Sequence, residues 1–447
     1  MITKVIVFVV LFFILLHTIM GVFRIDDYSI YSRENGLKQE RENTLDAVFI
    51  GDSPVFSFYE APLAWRDYGI SVFTYSFPSL QPWAVKYRVI EARKTQKDSL
   101  YIISLNTFKR DLFTVQVMHR NLDYMPWSLN KVRLFATLVR KGNFSPAKTM
   151  EFLFPIIQFH SRWSTMTTKE FVHPVDGLKG AYPHNPFLRE HLDATGMAVI
   201  TDKTAEVPAE QRDALIDLMD YLEKENIRTL FVTSPQIYDE ETAAQMNTLN
   251  DMVRERGFDC LDLDGKWEDM DIQMDTDIHD ENLTNIHGAI KFTKYLSEYL
   301  ISNYGFTDKR GLSGWESWDE SYDKFLYYMS PYTTDFERDH ARRDYSLQKP
   351  DSVKASIAEG AVRLTWQEVK GAEGYAIYRK GGYTGTERDL VFIAEVPKGQ
   401  HSFDDTALTP GETYHYAVIP VRYEGSEKIY GKFDPEAVEI RVPKEAN

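Results

Sequence analysis

Between residues 45 and 301 the chain alternates short apolar runs with stretches of helical spacing, and this rhythm restricts the fold more than any other feature. The first beat is Asp46-Ala47-Val48-Phe49-Ile50-Gly51-Asp52-Ser53. Ala47 to Ile50 is too short for a helix and reads as a buried strand, which Gly51-Asp52-Ser53 breaks with a turn. Further strand-like runs are Ile70 to Tyr75, Leu100 to Leu105, Leu230 to Thr233 and Cys260 to Leu263. Between them come a helix-like stretch around Leu63-Ala64-Trp65, a helix over 83–96, and an amphipathic run opened by Pro208. Met246, Leu249, Met252 and Val253 mark another helix, and a closing helix follows Gly288. Strands alternating with helices predict an α/β fold, a parallel sheet covered by helices. Such sheets build their sites at the carboxyl ends of the strands, which is where Ser53 falls. Residues 108–200 lose the rhythm; rich in aromatics, Pro and His, they read as an irregular insertion or cap.

Composition excludes several functions. A formal net charge of −16 leaves no dense basic stripe to neutralise phosphates, so no nucleic-acid partner is expected. The single cysteine, Cys260, rules out a disulfide framework and any multi-cysteine metal site, and its strand-like surroundings read as core. No His-Glu-x-x-His, P-loop or Gly-x-Gly-x-x-Gly pattern occurs, so neither metal nor cofactor is expected. Asp275 and Asp277 read as part of a solvated acidic loop.

Val5 to Val22 is an uncharged, mostly apolar run of 18 residues. As a helix it would span roughly 27 Å, close to the thickness of a bilayer core. No Ala-x-Ala-like cleavage site follows, so an uncleaved signal anchor is expected over residues 1–24. Lys4 precedes the run, while Arg24, Arg33, Lys38 and Arg41 follow it, and this count does not fix the orientation.

Residues 302–349 form a polar connector whose Trp315, Trp318, Tyr327 and Tyr328 are expected to pack on the sheet domain. From residue 350 to 447 the period changes to strand alternation, predicting a separate all-β domain. Leu364-Thr365-Trp366, Gly374-Tyr375-Ala376-Ile377-Tyr378-Arg379 and Leu408-Thr409-Pro410-Gly411-Glu412-Thr413-Tyr414 make this segment resemble a fibronectin type III domain. The resemblance implies an immunoglobulin-like sandwich with Trp366 in its core and the Tyr414 hydroxyl tied back to the backbone. It also implies a spacer or binding role and an exported location. The expected topology is therefore a single-pass membrane protein with its bulk outside the cytoplasm.

Residues 45–330 resemble the SGNH/GDSL hydrolase superfamily, in a branch of membrane-anchored cell-surface proteins. The matching segments are Gly51-Asp52-Ser53, Trp65-Arg66-Asp67-Tyr68-Gly69-Ile70, Phe159-His160-Ser161-Arg162-Trp163, Leu178-Lys179-Gly180, and the block from Asp280 to Thr293. The resemblance implies a three-layer, flavodoxin-like α/β domain over 25–301, with Ser53 as nucleophile and Asp280 as the orienting aspartate. It further implies oxyanion donors at Ser53, Ser76 and Asn106, and no cofactor. The position of the base histidine is taken by Leu283. Two readings follow. Either His279, His287 or His160 takes the proton, His279 being adjacent to Asp280, or the site is degenerate and the fold serves as a binding platform. The first implies a serine esterase or O-acyl transferase acting on acylated envelope glycans. The second implies a surface protein that binds glycan, another cell-envelope polymer or a membrane acyltransferase.

Overall fold

The computed structural model describes residues 2–24, 27–109, 114–164, 166, 175–184, 199–274, 277–329, 342–343, 346–358, 360–381, 391–425, 427–433 and 438–443. Helix α1, Ile2–Val22, is long and apolar enough to cross a membrane. Its apolar side chains from Val5 to Phe12, with Ile14 and Leu15, are exposed, Phe8 at 69%, and those nearer its end are partly covered. Helix α2, Tyr28–Gln39, had no signal in the sequence because its buried face is largely polar: Ser32, Arg33 and Glu34 join Ile30 and Leu37. Arg33 donates from Nε to the Gly180 carbonyl at 2.8 Å, and Glu34 accepts from Arg88 at 2.8 Å and from the Tyr75 hydroxyl at 2.7 Å. Arg33 is thus a buried structural group, and the charge count after α1 loses one of its four members.

The sheet domain runs β1 (Ala47–Gly51), α3 (Ser53–Phe58), α4 (Ala61–Tyr68), β2 (Val72–Ser76), α5 (Pro82–Ala92) and β3 (Leu100–Ser104). Then comes the insertion, whose described residues 115–164 are mostly helical where an irregular segment is expected. It holds α6 (Val115–Leu122), α7 (Leu129–Lys141), α8 (Pro146–Leu153) and α9 (Pro155–Phe159). Thr114, Ser128 and Ser145 cap the first three, each side-chain oxygen accepting from the N–H three residues on. The aromatics that blurred the period pack on one another, Phe152 stacking between His119 and Phe144.

After the insertion the chain forms α10 (Ala209–Lys224), β4 (Thr229–Thr233), α11 (Glu240–Glu255) and β5 (Asp259–Asp262). A short hairpin, β6 (Ile278–Asp280) and β7 (Leu283–Thr284), leads into α12 (Ile286–Tyr304), followed by α13 (Glu316–Met329). The five strands pair in parallel in the order β2-β1-β3-β4-β5. Strands β1 to β4 are buried throughout, which explains their unbroken apolar runs; β5 is the edge strand opposite β2, and Cys260 there is only partly buried. From β1 the chain goes outward to β2 and then returns past β1 to β3. The direction of winding therefore reverses between β1 and β3, and a crevice opens at their carboxyl ends.

Residues 175–184 form a strap on the free edge of β2. The Thr74 N–H donates to the Lys179 carbonyl at 3.1 Å, and farther on Tyr182 N–H donates to the Phe56 carbonyl at 3.0 Å. Gly180 has φ +85, and a Cβ there would lie 2.0 Å from the Thr74 carbonyl oxygen, so the close approach requires glycine. The strap blunts an otherwise open sheet edge.

The C-terminal unit begins with β8 (Arg342–Arg343), then β9 (Lys354–Ala358), β10 (Ala361–Thr365), β11 (Gly374–Gly381), β12 (Val391–Pro397), β13 (Ser402–Asp405), β14 (Thr413–Glu424), β15 (Glu427–Tyr430) and β16 (Val438–Arg441). Apart from the parallel β8–β15 contact these pair antiparallel in two sheets, β13-β10-β9 and β12-β11-β14-β15-β8, with β16 on β14. Between them Trp366 packs edge-on against Tyr375, ring centroids 5.3 Å apart. The Tyr414 hydroxyl accepts from the Thr409 N–H at 2.8 Å. An apolar cluster joins the two units: Leu63, Ile286, Phe325 and Met329 meet Tyr378 and Ile419.

Glu60, just before α4, is fully buried, and neither carboxylate oxygen has a hydrogen-bond partner among the described residues. Burial holds its carboxyl well above the usual carboxylate range, the charge of Arg33 only partly opposing this. The unfolded chain loses this proton near pH 4.3 while the folded protein keeps it. Stability from this source is therefore complete below that pH and falls as pH rises toward the raised folded value. Glu60→Gln is expected to match the wild type near pH 4 and to melt at least about 3 °C higher at pH 7.5, measured by thermal unfolding at both pH values. A variant less stable at pH 7.5 would show that Glu60 is ionised against Arg33.

Candidate active site

Ser53 is the first residue of α3, directly after the Gly51-Asp52 turn that ends β1. Its hydroxyl is partly exposed and makes no hydrogen bond among the described residues. The N–H groups of a first helical turn have no partner within the helix, and Pro54 has none to give, so Ser53 supplies the donor nearest its own oxygen. The turn is fixed from across the crevice. Thr107, in the 3-10 turn after β3, accepts from the Asp52 N–H at 3.0 Å and donates to the Asp52 carboxylate at 3.1 Å. Gly51 is needed here, since a Cβ would lie 2.6 Å from that of Ser104.

Asn106 is buried on the same turn. Its amide donates to the Ser234 carbonyl at 2.8 Å and to the Tyr238 hydroxyl at 2.6 Å, and its oxygen accepts from Ser234 N–H at 2.8 Å. Both amide hydrogens are committed, so in this arrangement Asn106 ties the loop after β4 to the sheet and has none left for an oxyanion. Ser76 ends β2 opposite Gly51. The neighbouring N–H, that of Phe77, donates to the Gly51 carbonyl at 3.0 Å, and Thr74 N–H faces the strap. By strand alternation the Ser76 N–H faces the strap as well. The Ser76 hydroxyl is buried, with no hydrogen-bond partner among the described residues.

The closing hairpin docks on α3. Ser57 Oγ donates to the Thr284 carbonyl at 2.9 Å, and Thr284 Oγ1 donates to the Ser57 carbonyl at 2.7 Å. Asp280 and Leu283 are register partners in the hairpin, and the Asp280 carboxylate accepts from Asn282 N–H at 2.9 Å. His279 is buried and stacked on His184 of the strap, ring centroids 4.3 Å apart. His184 in turn lies 6.5 Å from the Phe56 ring, one helical turn beyond Ser53, and its carbonyl accepts from Ile286 N–H at 3.2 Å. The other two histidines are placed differently. His287 is in the first turn of α12, where its N–H donates to the capping Asn285 side chain at 2.9 Å. His160 is exposed in the insertion, its Nδ1 3.0 Å from the Ile157 carbonyl. Asp277 is buried and paired with Lys291 at 2.8 Å, not solvated as expected, and Asp275 lies outside the described residues.

Residues without any sequence signal complete the rim. Lys109 Nζ bonds Gln236 at 2.6 Å and Asn282 at 2.5 Å, and Gln236 accepts from Tyr238 at 3.0 Å. Burial, with Asp262 adding to it, pushes the nearby Asp264 carboxyl up to about 7. Beside this network is a cleft of 450 Å³ lined by Lys109, Ile237, Tyr238, Asp239, Thr242, Glu281 and Asn282. Its walls are mostly polar. Among the described residues no group of three or more His, Cys, Asp or Glu is placed to hold a metal ion.

No family model and no curated protein matches the chain. Among solved structures, a Fn3-like protein from Clostridium thermocellum is 20% identical over 23% of this chain and 98% of its own, with a TM-score of 0.17. The third fibronectin III domain of a human protein is 17% identical over 24% of this chain and 92% of its own, with a TM-score of 0.19. Fibronectin III domains are thus among the structural neighbours, in keeping with the all-β C-terminal unit.

Proposed function

We propose that the chain is a membrane-anchored serine acyl-transfer enzyme of the SGNH type, acting outside the cytoplasm on O-acyl groups of a glycan, with a fibronectin III-like module as spacer. What supports this reading is the docking of the closing hairpin on α3, which brings His279 and His184 beside the helix that Ser53 opens. In the reaction Ser53 Oγ attacks the acyl carbonyl and its proton passes to His279. The Ser53 N–H receives the developing oxyanion. The tetrahedral adduct collapses, the glycan oxygen leaves with that proton, and a water or an acceptor hydroxyl then releases the acyl group from Ser53. The 450 Å³ cleft holds the sugar.

A second reading, a catalytically inert glycan-binding or partner-binding platform, is favoured by Leu283 in the base position and by the committed amide of Asn106. Fluorophosphonate labelling and p-nitrophenyl acetate turnover of the full chain separate the two. Wild type should label, and Ser53→Ala should lose the label and at least about 10³-fold in turnover. No label, with turnover equal to the variant, rejects the enzyme and leaves the platform.

A further inference from the structure

Where α1 ends, a cavity of 460 Å³ opens between it, α2, α7, α8 and the loop after α6. Three cations line it: Arg24, Lys38 and Lys131. Arg24 stands over the Tyr124 ring at 4.1 Å and the Tyr31 ring at 5.6 Å. Its guanidinium makes no ion pair or side-chain hydrogen bond among the described residues. Lys38 is 3.1 Å from Glu34, whose carboxylate also receives Arg88, so its charge is only partly answered. Lys131 donates to the carbonyls of Met125 at 2.8 Å and Asp123 at 3.3 Å; among the described residues it has no ion pair, and the charges of Asp123 and Glu34 attract it from farther off. The one acid of the wall, Asp123, is turned to His119 at 2.9 Å and its side chain is 1% exposed.

A second, independent feature surrounds this opening. Helix α9 packs on α1, and Arg162 donates to the Arg24 carbonyl, which places the 155–163 segment at the same level. Three large apolar side chains at that level face outward: Trp127 at 50% exposure, Ile157 at 48% and Trp163 at 71%. Tryptophans at the end of an apolar helix suit the headgroup level of a bilayer. Exposed apolar groups at this position are satisfied by lipid and not by water.

We propose that this cavity is a headgroup site for an anionic glycerophospholipid of the leaflet in which α1 ends. Arg24 and Lys38 hold the phosphate, and the acyl chains run along the exposed face of α1. The Tyr31 and Tyr124 faces suited to a quaternary ammonium are taken by Arg24, so the chemistry selects the anion and not choline. The inference rests on the anchoring part of the reading above and is indifferent to whether Ser53 is reactive.

The test uses the full chain in detergent and in nanodiscs, with phosphatidylglycerol and phosphatidylcholine of matched acyl chains, read by native mass spectrometry. Wild type should retain phosphatidylglycerol at least 10-fold over phosphatidylcholine, and Arg24→Gln/Lys38→Gln should lose that preference. Lys131 is left in place because it holds two carbonyls. Equal retention of the two lipids, or a preference unchanged in the double variant, overturns the site. So does displacement of phosphatidylglycerol by millimolar inorganic phosphate, which would mark a general anion pocket. Alkaline carbonate extraction of membranes keeps the premises apart. Release of the chain sinks the anchoring reading together with this proposal, whereas a chain retained in the pellet without lipid preference sinks the proposal alone.

Discussion

Leu283→His is expected to raise ester turnover by roughly 10²-fold or more, the usual contribution of a positioned general base. Position 283 is the register partner of Asp280 across the closing hairpin, so an imidazole there stands beside that carboxylate. The hairpin is already held on α3 by the two bonds between Ser57 and Thr284, neither of which involves the side chain replaced. Leu283 is only partly buried, which limits the cost of the more polar side chain. Steady-state hydrolysis of p-nitrophenyl acetate across pH 5 to 9 checks the outcome, with Ser53→Ala/Leu283→His as the control. A gain that vanishes in the control identifies a triad lacking one member. No gain, in a protein that still labels at Ser53, assigns the proton to the His279–His184 pair instead. His279→Gln then removes what activity remains.

The parallel sheet was legible because its strands are buried on both faces and so appear as uninterrupted apolar runs, Leu100 to Ser104 and Leu230 to Thr233 among them. The carboxyl-end position of Ser53 followed directly from that reading. Helix α2 was not legible because it is held by charge and hydrogen bonds, with Arg33 and Glu34 buried where a periodic apolar face is normally sought. The insertion offered capping signals at Thr114, Ser128 and Ser145-Pro146, but aromatics on several faces of its short helices masked the period.

The site was legible only where it is local. Gly51-Asp52-Ser53 and the Asp280-to-Thr293 block each carry their geometry within a few residues. His184 carries none: it belongs to a strap with no periodicity, and it reaches His279 through backbone bonds of that strap to β2, α3 and α12 that join residues far apart in sequence. Asn106 illustrates the opposite failure. Its place after β3 is as expected, but the direction of its amide is set by Tyr238 and Ser234, residues that lie more than 100 positions away.

Trp65→Ala is expected to give the largest loss of stability of any single change outside the strands, about 3–5 kcal/mol. Trp65 is 1% exposed, stacks on Trp315 at 5.3 Å and meets Trp318 at a tilt at 5.5 Å, while its Nε1 donates to Asp319 at 2.8 Å. These contacts fasten α13 to α4, and α13 carries Phe325 and Met329 into the apolar cluster shared with the β-sandwich. Truncation therefore leaves a cavity, strips a partner from Asp319 and loosens the joint between the two units in one step. Melting followed by circular dichroism should fall by roughly 10 °C. Trp65→Phe keeps an aromatic ring against Trp315 and Trp318 but loses the bond to Asp319, so it should cost only about 1 kcal/mol beyond the smaller ring area. If the alanine variant melts within 3 °C of wild type, α13 is held by the sandwich side instead, and the tryptophan cluster is not what joins the units.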